Sequence, residues 1–325
     1  GPRFGDFDLG IRFSHAGYRI AERNAQHRFH ASTSMVFAIF TKCWAEHVRA
    51  SEDTLRYAFS AANKTGDLLY ASYSLNCLNT VLLFAGDPLS AVHTEAERGL
   101  AFARNAQHGL IVDIISTQLA FIDSLRGRTR KLGTFDSERF NEQAFEFRLS
   151  NRPGLAIAEC WYWTRKMQAR YLAGDHDTAL ASLLRAEPLI WTSSMFLEEA
   201  EFHFYAALTL ASTLERVTPA MRAGQLERLA RHQAKLNVLA SNFPQNFDNR
   251  AALVNAEIAR IESRILDAER LYEQAINSAR ASDFPHQEAI ASELAARFYQ
   301  SRGFSIISEA YLRNARYGYL RWGAL

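Results

Sequence analysis

An excess of charge of either sign is missing from this sequence: 37 Lys and Arg stand against 35 Asp and Glu, leaving a formal +2. That balance removes the electrostatic case for nucleic acid or an anionic membrane as the main partner. Cysteine is scarce as well. Cys43, Cys77 and Cys160 are far apart and odd in number, with no CxxC pair, so they read as buried reduced thiols of a cytoplasmic protein. No apolar run approaches the roughly 18 residues needed to span a bilayer, and no signal peptide opens the chain. Alternating β-branched runs are absent, which argues against strands. The seven prolines and sixteen glycines fall mostly at breaks between apolar-striped segments.

Catalytic signatures are missing too. There is no GxxxxGK[ST] for phosphate, no HRD or DFG pair, and no GxSxG or HExxH. The ten histidines are scattered, and none makes an HxxxH pair beside an acid, so a zinc site is not expected. Glu198, Glu199 and Glu201 sit at helix spacing and read as surface solvation rather than acid–base machinery. The reading is therefore a non-enzyme with no catalytic residues, no metal and no cofactor.

What the chain does contain is hydrophobic residues at 48% and aromatics at 12%, ample for a folded protein. The stretch Leu155 to Trp191 organises the rest. It comprises an aromatic-rich amphipathic segment, a Gly174-Asp175 break, and a second apolar-striped segment carrying Ala179, Leu183 and Ala186. Glycine allows a left-handed corner, Asp175 can cap the second helix, and the two alanines let antiparallel helices approach closely. This small–large–small spacing is the tetratricopeptide (TPR) type of helical hairpin. One such hairpin cannot bury its own apolar faces and so requires neighbours.

Those neighbours can be read along the chain. Gly5-Asp6-Phe7 with Gly10, Ser14 and Gly17 repeats the spacing, as the second helix of a hairpin whose first helix has been cut away. Helices are expected over 29–48, 51–63, 68–84, 89–106 and 110–125, with Asp87-Pro88 as a helix start. Residues 126–135 (RGRTRKLGTF) are the least regular part. Arg126, Arg128, Arg130 and Lys131 can bind phosphate there, but a solvated loop fits better because no aromatics interleave. Asp136 opens a short helix ending at Asn151-Arg152-Pro153-Gly154. Further helices are expected over 194–213, 219–240, 250–263, 266–280, 285–300 and 304–322, with 242–249 a loop. Second-helix starts recur roughly every 36 to 49 residues, at or above the roughly 34 of a minimal repeat. The expected fold is all-α, a TPR-like α-solenoid: a right-handed superhelix of about seven hairpins. It forms one array over 3–325, with a possible subdivision near 126–154. Gly1-Pro2 reads as an expression-tag remnant.

First helices of such an array line its concave side, which nominates surface candidates. Trp163, Lys166 and Arg170 fall on one helix face, Glu199 and His203 on the next first helix, and Arg250, Glu257 and Arg260 on the one after. A groove mixing aromatic planes with Arg and Glu suits a peptide, a protein segment or a polar small signal molecule. The bland reading is that the aromatics pack and the charges pair between helices.

Several blocks together resemble one family. They are Cys160-Trp161-Tyr162-Trp163, Tyr171-Leu172-Ala173-Gly174-Asp175, Ala186-Glu187-Pro188-Leu189 and Glu201-Phe202-His203-Phe204-Tyr205. Asn249-Arg250-Ala251-Ala252-Leu253, Tyr311-Leu312-Arg313-Asn314-Ala315 and Tyr319-Leu320-Arg321-Trp322-Gly323-Ala324 belong with them. The sequence is similar to the helical-repeat segment of large bacterial signalling proteins. In these, a protein-kinase-like domain and a STAND-type (AAA-related) ATPase precede the repeats, and GAF or PAS sensors and a histidine kinase follow. The resemblance implies a cytoplasmic, regulatory sensor segment that binds a ligand or protein and relays it to flanking ATPase and sensor-kinase domains. It carries over no catalytic or ligand residue. The alternative is a structural spacer or homodimerising scaffold without ligand.

Overall fold

The computed structural model of the chain describes residues 7–23 and 29–324, and no strand occurs among them. The helices run in order as α1 (Phe7–Arg23), α2 (His30–Phe37), α3 (Cys43–Ala45), α4 (Ser51–Thr65), α5 (Leu68–Ala85) and α6 (Leu89–Asn105). They continue as α7 (Gly109–Leu125), α8 (Glu142–Ser150), α9 (Ala156–Leu172), α10 (His176–Ala186) and α11 (Leu197–Thr213). The last five are α12 (Pro219–Asn242), α13 (Pro244–Ile261), α14 (Ile265–Ala281), α15 (Pro285–Ser301) and α16 (Ser305–Trp322). The fold is all-α, and successive helices pack as hairpins: α4 on α5, α6 on α7, α9 on α10, α11 on α12, α13 on α14, and α15 on α16.

Local chemistry explains the corners. Gly174 turns between α9 and α10 at φ 74°, and Asp175 accepts a hydrogen bond from the Thr178 amide at 3.3 Å. Ala179, Leu183 and Ala186 are buried where the two helices meet. At the final hairpin Gly318 plays the small role, because a Cβ there would lie 2.8 Å from the Ala289 Cβ. Gln107, Ser263 and Asp283 take left-handed corners without glycine.

Several boundaries differ from expectation. The helix expected over 29–48 is broken: a π-turn spans Ala38–Lys42, the backbone is extended at Glu46, and a 3₁₀ turn covers Val48–Ala50. Residues 242–249 are not a loop, since Pro244 opens α13, proline being well suited to a first helical position. The short helix begins at Glu142, capped by Asn141, rather than at Asp136. Asp87 does not cap α6 but pairs with Arg49. Gly5 lies outside the described residues, and α1 has no buried residue. Helix α5 is long and apolar enough by composition to cross a membrane, yet 78% of it is buried inside the fold.

The chain also folds back on itself. The carboxyl end of α5 is a hub: its free carbonyls at Phe84 and Ala85 accept from Arg250 Nη2 (3.3 Å) and Arg49 Nη2 (3.0 Å). A guanidinium both satisfies an orphan carbonyl and complements the negative helix end. His47 Nε2 meets the Ser282 carbonyl at 2.9 Å, and Asn246 Oδ1 accepts from the Val48 amide at 3.0 Å. Gly86 lies so close to His286 that a Cβ would approach the ring nitrogen to 2.1 Å. One hydrophobic cluster runs from Met35 to Trp322 through these contacts.

Candidate binding groove

The eight residues nominated from first-helix spacing do not share an open trough. Lys166 is 2% exposed and lies between Glu142 and Glu146 of α8, with Tyr162 Oη at 3.1 Å. Trp163 is buried between the Lys166 ammonium and the Arg185 guanidinium, 5.3 and 4.9 Å from its ring. Arg170 turns to α10, donating to the Thr178 carbonyl (3.1 Å) and Ser182 Oγ (2.9 Å). Glu199 accepts from the Met195 amide at 2.9 Å. His203 faces α12, with its Nδ1 2.8 Å from that of His232, so one ring must donate and the other accept. Burial lowers this pair to about 3 for His203 and about 4 for His232.

Arg250 is fully buried against Glu201 (3.0 Å) and stacks 3.9 Å over the Phe84 ring. Glu257 accepts from Tyr272 Oη and pairs with Arg260, which also reaches Glu215 at 2.9 Å. Each of these charges has an intramolecular partner. The reason is packing: the first helices α5, α9, α11 and α13 are buried on nearly every side and meet one another across the interior. Thr80 on α5 and Arg165 on α9 both donate to Glu198, at 2.6 and 3.1 Å. The chamber left at this centre, beside His286 and Trp322, measures about 20 Å³. That holds about one water and no larger ligand.

An open groove lies elsewhere, against α7. Helix α7 packs on α5, α6 and α9, but the helix that follows it, α8, is short and sits on α9. Lys166 draws Glu142 and Glu146 of α8 to α9, and Tyr162 donates to Glu146 at 2.7 Å. The segment between them is anchored away from α7 as well. Phe135 is fully buried against Tyr162, and Gly133 sits where a Cβ would meet Ala173 at 2.9 Å. The outer face of α7 is thereby left without a second helix.

The resulting groove has a volume of about 850 Å³, within the range of ligand sites. Its walls are two stripes of helical period: His93, Glu97, Leu100, Ala101 and Arg104 on α6, then Val112, Asp113, Ser116, Leu119, Ala120 and Asp123 on α7. Phe140 and Phe145 close the third side. At one end Arg148 Nη2 donates to Asp113 Oδ1 at 2.7 Å; burial pushes that carboxyl up and the guanidinium opposes it. At the other, His93 Nε2 stands 3.2 Å from Asp123 Oδ1, and Glu97 accepts from Arg139 at 3.1 Å. The groove runs on into a polar recess edged by Arg126, Arg128, Arg130 and Arg139.

Sequence reasoning missed this groove, although the irregular 126–141 segment and its arginines carried the signal. The arrangement suits binding rather than reaction. Among the described residues no group of three or more His, Cys, Asp or Glu is placed to hold a metal. The three cysteines are buried, and burial pushes their thiols up, away from the nucleophilic form. Compared with known proteins, the chain matches no family model and no curated sequence.

Proposed function

We propose that this chain is a non-catalytic regulatory segment that binds a protein partner or small signal molecule and relays that event to flanking domains. The observation that carries the binding half is the groove of about 850 Å³ along α7, apolar on its floor and charged at both ends. The relay half rests on the resemblance to bacterial STAND-type ATPase–histidine kinase proteins, which also makes the segment cytoplasmic. Stacked helical hairpins support it physically, since a ligand lodged between neighbours changes the angle at which they pack.

Amide hydrogen exchange with and without fractionated soluble cell extract tests the binding half. Slowed exchange confined to α6, α7 and α8 is the expected result; unchanged exchange throughout contradicts it. The relay is tested by distance labels at the exposed Phe147 and Tyr317, whose separation should shift when the protecting fraction is added.

A second reading, a homodimerising scaffold, is favoured by one observation. Phe13 (70% exposed) and Ile20 on α1, with Ile306 (81% exposed) and Tyr317 on α16, leave apolar surface at both ends of the chain. Light scattering across a concentration series separates the readings, because only the scaffold requires a rising mass.

A further inference from the structure

The two groove walls carry the same spacing. On α6 the lining residues are His93, Glu97, Leu100, Ala101 and Arg104; on α7 the set from Val112 to Asp123 repeats at i, i+4, i+7, i+8 and i+11. Paired stripes of this period form the seam into which a third helix nests, and they run roughly 16 Å at 1.5 Å per residue. Every other first helix from α9 onward has a second helix packed beside it in the hairpin, whereas α7 has none. The charge is graded along the trough. Arg126, Arg128, Arg130 and Arg139 gather at the carboxyl end of α7, and Arg126 and Arg130 make no ion pair among the described residues.

We infer that the groove takes an amphipathic α-helix of a partner protein, lying antiparallel to α7 with acidic residues in its first turn. The inference rests on the binding half of the proposed function and supplies the partner's chemistry. Antiparallel placement puts the partner's amino end beside the arginine cluster. Acids are favoured there twice, by the guanidiniums and by the partner's own helix dipole. The apolar stripe of the partner then covers Val112, Leu119 and Phe140.

The probe is a fluorescein-labelled helical peptide of about 14 residues, long enough to cover the seam. It carries Leu or Ala at i, i+4, i+7 and i+11 and three Glu in the first turn. Two controls are made, one scrambled to abolish the stripe and one with the three Glu replaced by Lys. Anisotropy with the full chain should show saturable binding, weakened about tenfold or more by either control and by added salt. Leu119→Glu and the double variant Arg126→Glu/Arg130→Glu should each weaken it about tenfold. Both replace exposed or half-buried groups, and unchanged circular dichroism and urea midpoints certify their folds.

Equal binding of peptide and scramble, or indifference to both variants, overturns the inference. Displacement of the peptide by millimolar inorganic phosphate, with no dependence on the Leu stripe, overturns it in favour of a small anion. If the peptide fails while cell extract still slows exchange on α7, the partner class is wrong and the binding role stands. If extract also fails, both fall.

Discussion

Helices α7 and α9 start from similar sequences of apolar stripes and end in opposite surroundings. Helix α9 is followed by Gly174, a capped α10 and a buried Ala179–Leu183–Ala186 seam, and it keeps hardly any exposed surface. Helix α7 is followed by a connection that docks on α9 instead, held there by Phe135, Gly133 and the Lys166 clamp. The lesson is that a groove in a helical array is made by where the next helix goes, not by the residues of the helix that lines it. Charges nominated on α9 and its kin became interior pairs, while the open surface fell to α7.

The largest expected break of this contrast is Lys166→Met. It removes the cation that Glu142 and Glu146 share in a nearly closed site, so stability should fall by about 3 kcal/mol in urea unfolding, with α8 freed from α9. Leu119→Glu, on the uncovered face of α7, should cost less than about 1 kcal/mol in the same assay. Comparable losses for the two would erase the distinction.

Two glycines at nearly the same backbone angle sharpen it further. Gly86 (φ 73°) faces the His286 ring and Gly174 (φ 74°) has nothing within 4 Å. Gly86→Ala should cost about 3 kcal/mol, combining left-handed strain with overpacking, and Gly174→Ala about 1 kcal/mol from strain alone. Differential scanning calorimetry of the pair reads the difference.

Acid should reveal the covered seams. Burial lowers His203 to about 3 and His232 to about 4, so the unfolded chain binds protons that the folded one refuses. Their contribution is present above the ordinary histidine range near 6.5 and is lost as pH falls towards those folded values. Stability at pH 5 should lie about 2 kcal/mol below that at pH 7.5. The double variant His203→Gln/His232→Gln should flatten the slope. A smaller gain is expected from Ser263→Gly: Ser263 is exposed at φ 59°, and relief of that strain should raise stability by about 0.5–1 kcal/mol.

Much of the helical framework was legible because it depends on local chemistry. Gly174, the Asp175 cap and the Ala268–Tyr272–Ala275 seam are short-range signals, and the structure places all three at a hairpin. The fate of the charged residues was not legible. Arg250 is buried because of Glu201 and the Phe84 carbonyl, 49 and 166 residues away, a separation that periodicity cannot register. The α13 start was obscured for a different reason: asparagines and aromatics around Pro244 resemble a turn, although the proline occupies a first helical position. The groove was half visible. Its arginines stood out in the 126–135 segment, but their relevance depends on α8 leaving α7, which Lys166 decides from another hairpin.

Native-state thiol labelling tests the contrast between the two helices most directly. Ser116→Cys places a thiol on the groove face of α7, and Cys160 is its native counterpart on α9, buried with Sγ 3.4 Å from Ser193 Oγ. The account predicts that Ser116→Cys reacts with a small thiol reagent within about tenfold of the rate of a free thiol, unaffected by mild urea, while Cys160 reacts only as fast as the chain unfolds. Equal protection of the two thiols would contradict it.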